Sequence, residues 1–276
     1  MRIDGNTEVI AHIGWPTCSF KAPLIYNPYF EQAGINAVVT PMACKPEHFA
    51  DFLRHVFNLE NIHGALITMP HKVNVVSLLD VVSPAVRVAG ACNAVKRGAD
   101  GKLYGDMFDG EGFVRGVQRK GFAVAGKRAL VVGTGGVGSA IAASLASAGV
   151  GEIALFDVDA VSCAGLADRI RANFPQVRVS MGSNDAFGFD LVVNATPLGM
   201  KEGDPLPLNI SRLQPNTFVG EVVMAQEVTA FLAAASARGC RTQVGTDMLY
   251  EQIPAYLEFF NLPSTTAEHL REVSLV

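Results

Sequence analysis

RALVVG, residues 128–133, runs directly into GTGGVGSAIAASLASAG, residues 133–149. The first segment is a continuous apolar run, the pattern of a strand buried on both faces. The second is a glycine turn opening a helix. Ile141, Leu145 and Ala148 share one face of that helix, and Gly149 is its expected C-cap. EIALFD, residues 152–157, supplies the next strand, so the stretch reads as a βαβ unit. Within GTGGVG, Gly133 permits a tight turn after the strand. Gly135 lets backbone approach a pyrophosphate, Gly138 lets the helix pack closely on the sheet, and Gly136 belongs to the same cofactor-binding loop. Amides at the helix start then face the anion. A strand before, a helix after and Asp157 at the end of the next strand, 19 residues beyond Gly138, together point to dinucleotide binding.

Asp157 decides the expected cofactor. A carboxylate there accepts hydrogen bonds from a ribose 2′-hydroxyl and repels a 2′-phosphate, and Val158 and Asp159 add no cation. The expectation is NAD, with NADP the less favoured form. The competing use of Asp157 is as a cap for the helix that follows.

Outward from this unit the chain keeps alternating. Toward the C-terminus come a helix from Ala160 to Asn173, strands VRVS, DLVVNAT and TFVGEVV, and a helix EVTAFLAAASARG. Toward the N-terminus, EVIAHIG, NAVVTPM and GALITM alternate with helical patterns such as PEHFADFLRHVFN, residues 46–58. There Phe49, Phe52, Leu53 and Val56 form one apolar stripe. The fold class is therefore α/β. DMFDGEG breaks the periodicity between Asp106 and Gly112, which places a boundary there.

The chain has 276 residues, 49% of them hydrophobic, a length suited to two domains. A net charge of -4 with scattered Lys and Arg excludes a nucleic-acid face. No window reaches the roughly 18 apolar residues of a membrane helix, and MRIDGNTEVIAHIG lacks the plan of an export signal. Five dispersed cysteines without a CxxC pair suit a reducing compartment, so a cytoplasmic location is expected. Six histidines without an HxxxH pair give no metal site. ALITMPHKVNVV, residues 65–76, is the remaining anomaly: Lys72 stands in an apolar run that reads as buried on both sides.

Seven blocks occur in order: GWP (14–16), TMPHK (68–72), GACNAV (90–95), GDMFDGEG (105–112), GTGGVG (133–138), NATPLGM (194–200) and GTDMLYEQ (245–252). Over essentially its whole length the chain resembles the shikimate dehydrogenase family. The resemblance implies a substrate-binding catalytic domain over residues 1–108, a Rossmann domain over 109–244, and C-terminal helices over 245–276 that return to the first domain. It implies hydride transfer between a cyclic hydroxy acid, such as shikimate or quinate, and nicotinamide, in a monomer or homodimer. Lys72 matches the catalytic lysine and Asp109 its aspartate partner. Thr68, Asn93 and Gln252 match residues that hold ring hydroxyls, and Thr196 lies beside the nicotinamide half. Oxidising a secondary alcohol requires removal of the hydroxyl proton, which a lysine beside a carboxylate relays. Which of the two takes it stays open. Lys72 also has a plain alternative use, as a helix-start lysine snorkelling to solvent.

The substrate half departs from the family pattern. Its Ser-x-Ser pair, which binds the substrate carboxylate, is Phe20 and Ala22 here, within SFKAP (19–23). Neither side chain donates a hydrogen bond. Each charge-assisted bond lost costs about 1–3 kcal/mol, unless Ser19 or Lys21 compensates. The asparagine two places before Thr68 is Leu66, the Asn and Thr before Asp109 are Met107 and Phe108, and a later tyrosine is Met224. Two rival readings follow: a dehydrogenase of an aminated or less polar ring alcohol, and a non-catalytic dinucleotide-binding regulator.

Overall fold

The computed structural model describes residues 3–276. It divides into two compact units. One comprises the chain up to Val86, Gly90–Phe108 and Ile253–Val276; the other comprises Arg87–Ala89 and Asp109–Gln252.

The first unit begins with β1 (Glu8–Gly14), α1 (Ala22–Gln32), β2 (Ala37–Ala43), α2 (Phe49–Val56) and β3 (Ile62–Ile67). It continues with β4 (Val81–Val82), α3 (Pro84–Ala89, whose last turn falls to the second unit), β5 (Ala94–Arg97) and β6 (Leu103–Asp106). The sheet order is β2-β1-β3-β5-β6-β4. β1 pairs in parallel with β2 and β3, while β5 runs antiparallel to both β3 and β6. Of the stripe expected over 46–58, Phe49, Leu53 and Val56 are buried and Phe52 is half-buried. A single 3₁₀ turn, Pro46–His48, precedes α2, because Pro46 fixes the first turn without offering an amide.

The second unit holds α4 (Asp109–Arg119), β7 (Arg128–Val132), α5 (Gly136–Ser147), β8 (Glu152–Phe156), α6 (Ala160–Asn173), β9 (Arg178–Met181) and β10 (Leu191–Asn194). Then follow β11 (Phe218–Glu221), α7 (Ala230–Ala237), β12 (Arg241–Gln243) and α8 (Gly245–Phe259). The last seven residues of α8 belong to the first unit, as does α9 (Ala267–Val273). All six strands are parallel, in the order β12-β11-β10-β7-β8-β9. Read from the other edge, this is the dinucleotide-binding order, with its reversal between β7 and β10. Val131, Leu155, Val193 and Phe218 bury one face of that sheet against Ile141, Leu145 and Leu166 of α5 and α6.

The helix after the glycine turn ends slightly differently from expectation. Ala148 is the C-cap, and Gly149 is the next residue, at φ +80°, its amide donating to the Ala146 carbonyl. That left-handed position is where a side chain is disfavoured, so the glycine marks the residue after the cap. Among the described residues, no helix is long and apolar enough to cross a membrane.

Candidate active site

The dinucleotide half is built at the carboxyl ends of β7 and β10, where the strand order reverses and a crevice opens in sheets of this type. Gly133 turns the chain at φ +100°, with its Cα against Ala195; a Cβ there would lie 2.7 Å from the Ala195 carbonyl carbon. A Cβ on Gly138 would lie 2.0 Å from the Gly133 carbonyl oxygen, so only glycine lets α5 start this close to the turn. Gly135 and Gly136 are different: a Cβ on either would meet nothing within 4 Å. Their backbone faces open space, as a cradle for a pyrophosphate requires.

Asp157 latches this loop. One carboxylate oxygen accepts from the Thr134 amide (2.6 Å) and the Thr134 hydroxyl (3.0 Å), and the other accepts from the Asp159 amide (3.0 Å). Burial pushes the carboxyl upward, but the Asp159 amide and both Thr134 donors outweigh it and hold the pKa below its ordinary value. The cap of α6 is Asp159, which accepts from the Val161 and Ser162 amides. Thr196 sits in the loop after β10. Its hydroxyl donates to Asn194 Oδ1 (2.6 Å) and accepts from the Leu198 amide (3.1 Å). Asn194 itself is buried and holds that loop from both ends, through Thr196 and the Leu198 carbonyl.

Sequence reasoning did not single out Thr134, Asn194 or Glu221. Glu221 is fully buried at the end of β11, in register with Asn194, and accepts from the Thr229 hydroxyl at 2.9 Å. Burial raises its pKa. An acidic residue at the end of an otherwise apolar strand was the available signal. Asp109, the first residue of α4, and Gln252 on α8 are both buried in this unit, and the Gln252 Oε1 has no partner among the described residues. Gly112 of α4 lies against Gln252; a Cβ there would fall 2.7 Å from its Cβ.

The substrate half gathers at the carboxyl ends of β1 and β3. Lys72 lies in the turn after β3 and is half-buried. The expectation of burial on both sides of it does not hold, since Met69 is 74% and Val73 60% exposed. The chain turns there instead of continuing the strand, so Met69 and Pro70, then Val73 and Asn74, swing to solvent. The turn is pinned by its neighbour: His71 is fully buried, stacks on Phe49 at 4.0 Å, and bonds the Cys44 carbonyl through Nε2 at 2.8 Å. The Lys72 carbonyl accepts from the Cys92 amide at 2.8 Å. Thr68 hangs from the Ile13 carbonyl by its amide, and the Asn93 carbonyl accepts from the Ile67 amide. Asn93 is fully buried. Its Oδ1 accepts from the Phe108 amide at 2.9 Å, while Nδ2 has no partner among the described residues. One end of that carboxamide is structural and the other is unpaired.

The apolar departures have packing roles. Met107 and Phe108 are buried, and the Phe108 ring meets Tyr256 at 4.9 Å and Phe259 at 5.6 Å. Met224, in the second unit, packs against the main core of that unit. Among the described residues no group of three or more His, Cys, Asp or Glu is placed to hold a metal ion.

Comparison with known proteins bears on both halves. The family model described as shikimate dehydrogenase substrate binding domain matches residues 13–95, and that of the ThiF family matches residues 119–177. The shikimate dehydrogenase (NADP(+)) of Geobacter metallireducens is 35% identical over 260 residues, 91% of this chain and 90% of that protein. The structure of shikimate 5-dehydrogenase from Listeria monocytogenes, in complex with shikimate and NAD, superposes with a TM-score of 0.91 at 28% identity, covering 99% of this chain and 98% of the other. The ligand-free 5-ketofructose reductase of a Gluconobacter strain gives 0.88 at 27% identity, covering 97% of each chain.

These relatives correct the expected preference for NAD over NADP. The name bearing NADP(+) recurs in relatives 36% and 33% identical to this chain. The physical reason lies in the Asp157 carboxylate. The preference assumed a carboxylate turned toward the ribose, whereas its oxygens are taken up by Thr134 and Asp159. An aspartate engaged in holding its own loop is no measure of which ribose the site accepts. Identity at this level across nine-tenths of the chain, on the same two-unit fold, makes this protein a member of the shikimate dehydrogenase family, an NAD(P)-dependent oxidoreductase acting on alcohols.

Proposed function

We propose that the protein interconverts a secondary ring alcohol and its ketone, with shikimate or a close analogue as substrate. Lys72 and Asp109 handle the hydroxyl proton. The observation that carries this reading is the anchoring of Lys72: the buried His71 before it in the chain and the Cys92 amide on its carbonyl fix the backbone from which the amine projects. Residues 1–108 serve as the substrate-binding part, a role supported by the family match over 13–95. Residues 109–244 serve as the dinucleotide-binding part, and 245–276 return to the first part, a reading supported by the grouping of Ile253–Val276 with the first unit.

A nicotinamide dinucleotide, when bound, supplies the hydride acceptor or donor. Gly135 and Gly136, open where a Cβ would stand, and the amides at the start of α5 suit its pyrophosphate. NADP(+) is the form named for the curated relatives. Thr68, the Nδ2 of Asn93 and the Oε1 of Gln252 hold ring hydroxyls. Lys72 and Asp109 orient the reacting hydroxyl and take up its proton.

Steady-state assays with shikimate and quinate, each with NAD and NADP, test this reading, with turnover of at least one pair expected. Lys72→Ala lowers kcat by about a hundredfold or more with dinucleotide affinity little changed. Near-normal turnover would remove Lys72 from the chemistry. Clear dinucleotide binding without turnover of any ring alcohol would leave the regulator instead. The relation to 5-ketofructose reductase keeps a second reading in view: an uncharged polyol as substrate.

A further inference from the structure

β1 and β3 are parallel neighbours, and their register sets His12 opposite Leu66. Residues in register leave a sheet on the same face, so these two side chains stand side by side. The family pattern has an asparagine at the Leu66 position. Here β3 presents a leucine that is 5% exposed, and β1 presents a histidine that is 8% exposed. The polar member of this pair is the one on β1.

Phe20 covers His12. Its ring stacks on His12 with centroids 4.0 Å apart and planes 28° apart. Its edge reaches the end of β1, since a Cβ on Gly14 would lie 2.7 Å from Phe20 Cζ and 2.5 Å from Thr68 Cγ2. His12, Phe20 and Thr68 thus form one wall at the carboxyl ends of β1 and β3, where ligands bind in sheets of parallel strands. The Nδ1 of His12 is buried and has no hydrogen-bond partner among the described residues. Buried ring nitrogens are ordinarily bonded, so this orphan calls for a partner. Burial first, and the Lys72 cation second, push the His12 pKa down to about 4. The ring is therefore neutral at pH 7. Its Nδ1 offers a donor or an acceptor, according to tautomer, to a hydroxyl or ketone, and no charge to a carboxylate.

We propose that His12 is a specificity-determining residue, bonding an uncharged oxygen of the substrate where Phe20 and Ala22 withhold the hydroxyls that would bind a carboxylate. The inference rests on the dehydrogenase reading for the identity of the ring, and it assigns a neutral substituent to that corner of the pocket. Lys21, half-buried at the start of α1, is the rival, as a cation that would keep the site acid-selective.

The test compares shikimate with its methyl ester, the same ring without the charge, on the full chain with cofactor. Turnover and calorimetric affinity are both read. The wild type is expected to favour the ester by about tenfold or more in kcat/KM and in Kd. His12→Val raises KM for the ester by about tenfold with kcat within about threefold, and His12→Asn, which keeps a polar edge, recovers part of the loss. Phe20→Ser with Ala22→Ser moves the ester-to-acid ratio toward the acid by about tenfold. A wild type that prefers the acid overturns the proposal whatever the variants do. So does an unchanged KM in a folded His12→Val protein, or binding of neither compound. Ester-selective binding without turnover would uphold His12 and dismiss the dehydrogenase reading instead.

Discussion

The loop over 133–138 and the wall formed by His12, Phe20 and Thr68 stand at equivalent places, the carboxyl ends of parallel strands, yet they are built in opposite ways. In the loop the backbone sets the shape. Gly133 and Gly138 leave no room for a side chain, and both Asp157 oxygens are occupied by the loop's own donors. In the wall the side chains set the shape, and a polar atom is left unpaired, His12 Nδ1. A site for the invariant part of a cofactor is dictated by sterics that admit one residue type. A substrate site made of side chains can be rewritten by substitution while the strands beneath it stay put.

The sharpest way to break this contrast is Gly138→Ala. Its Cβ would lie 2.0 Å from a backbone carbonyl, which cannot rotate away. Dinucleotide affinity should fall by about a hundredfold or more, with about 1–3 kcal/mol of stability lost to overpacking. Calorimetric titration with each cofactor and a thermal melt check it, and unaltered affinity would show the loop to be a packing turn only.

A pH effect follows from the wall. The unfolded His12 side chain takes up a proton near its ordinary pKa of 6.5, whereas the folded one does so only at about 4. Between those values the unfolded chain binds the extra proton, so stability present above pH 6.5 is lost progressively as the pH falls to about 4. The loss from this group is up to about 3 kcal/mol. Melting temperature measured across that range should fall more steeply for the wild type than for His12→Val, and parallel curves would show that His12 is not held neutral.

The smallest effect is expected at the latch. Asp157→Asn keeps the shape but surrenders the charge-assisted bonds to Thr134 and Asp159, worth about 1–2 kcal/mol net. Affinity for NAD and NADP should fall together, by about tenfold. A change confined to one cofactor would return Asp157 to the role of ribose reader.

Much of this molecule was legible in its residues. Apolar runs of strand length alternating with helical stripes predict an α/β chain, and GTGGVG between RALVV and a small-residue helix predicts the dinucleotide loop, because only glycine fits a turn at φ +100° and a contact of 2.0 Å. The ordered blocks around Lys72, Asn93 and Asp109 marked the family. The tertiary structure alone decided which way polar groups turn: Asp157 onto Thr134, Thr196 onto Asn194, and His12 beneath Phe20. Pairing partners brought together from distant segments are invisible to periodicity and motif. Residues 12 and 66 become neighbours only once β1 and β3 hydrogen-bond in register, and that register is fixed by packing of the whole sheet rather than by either strand.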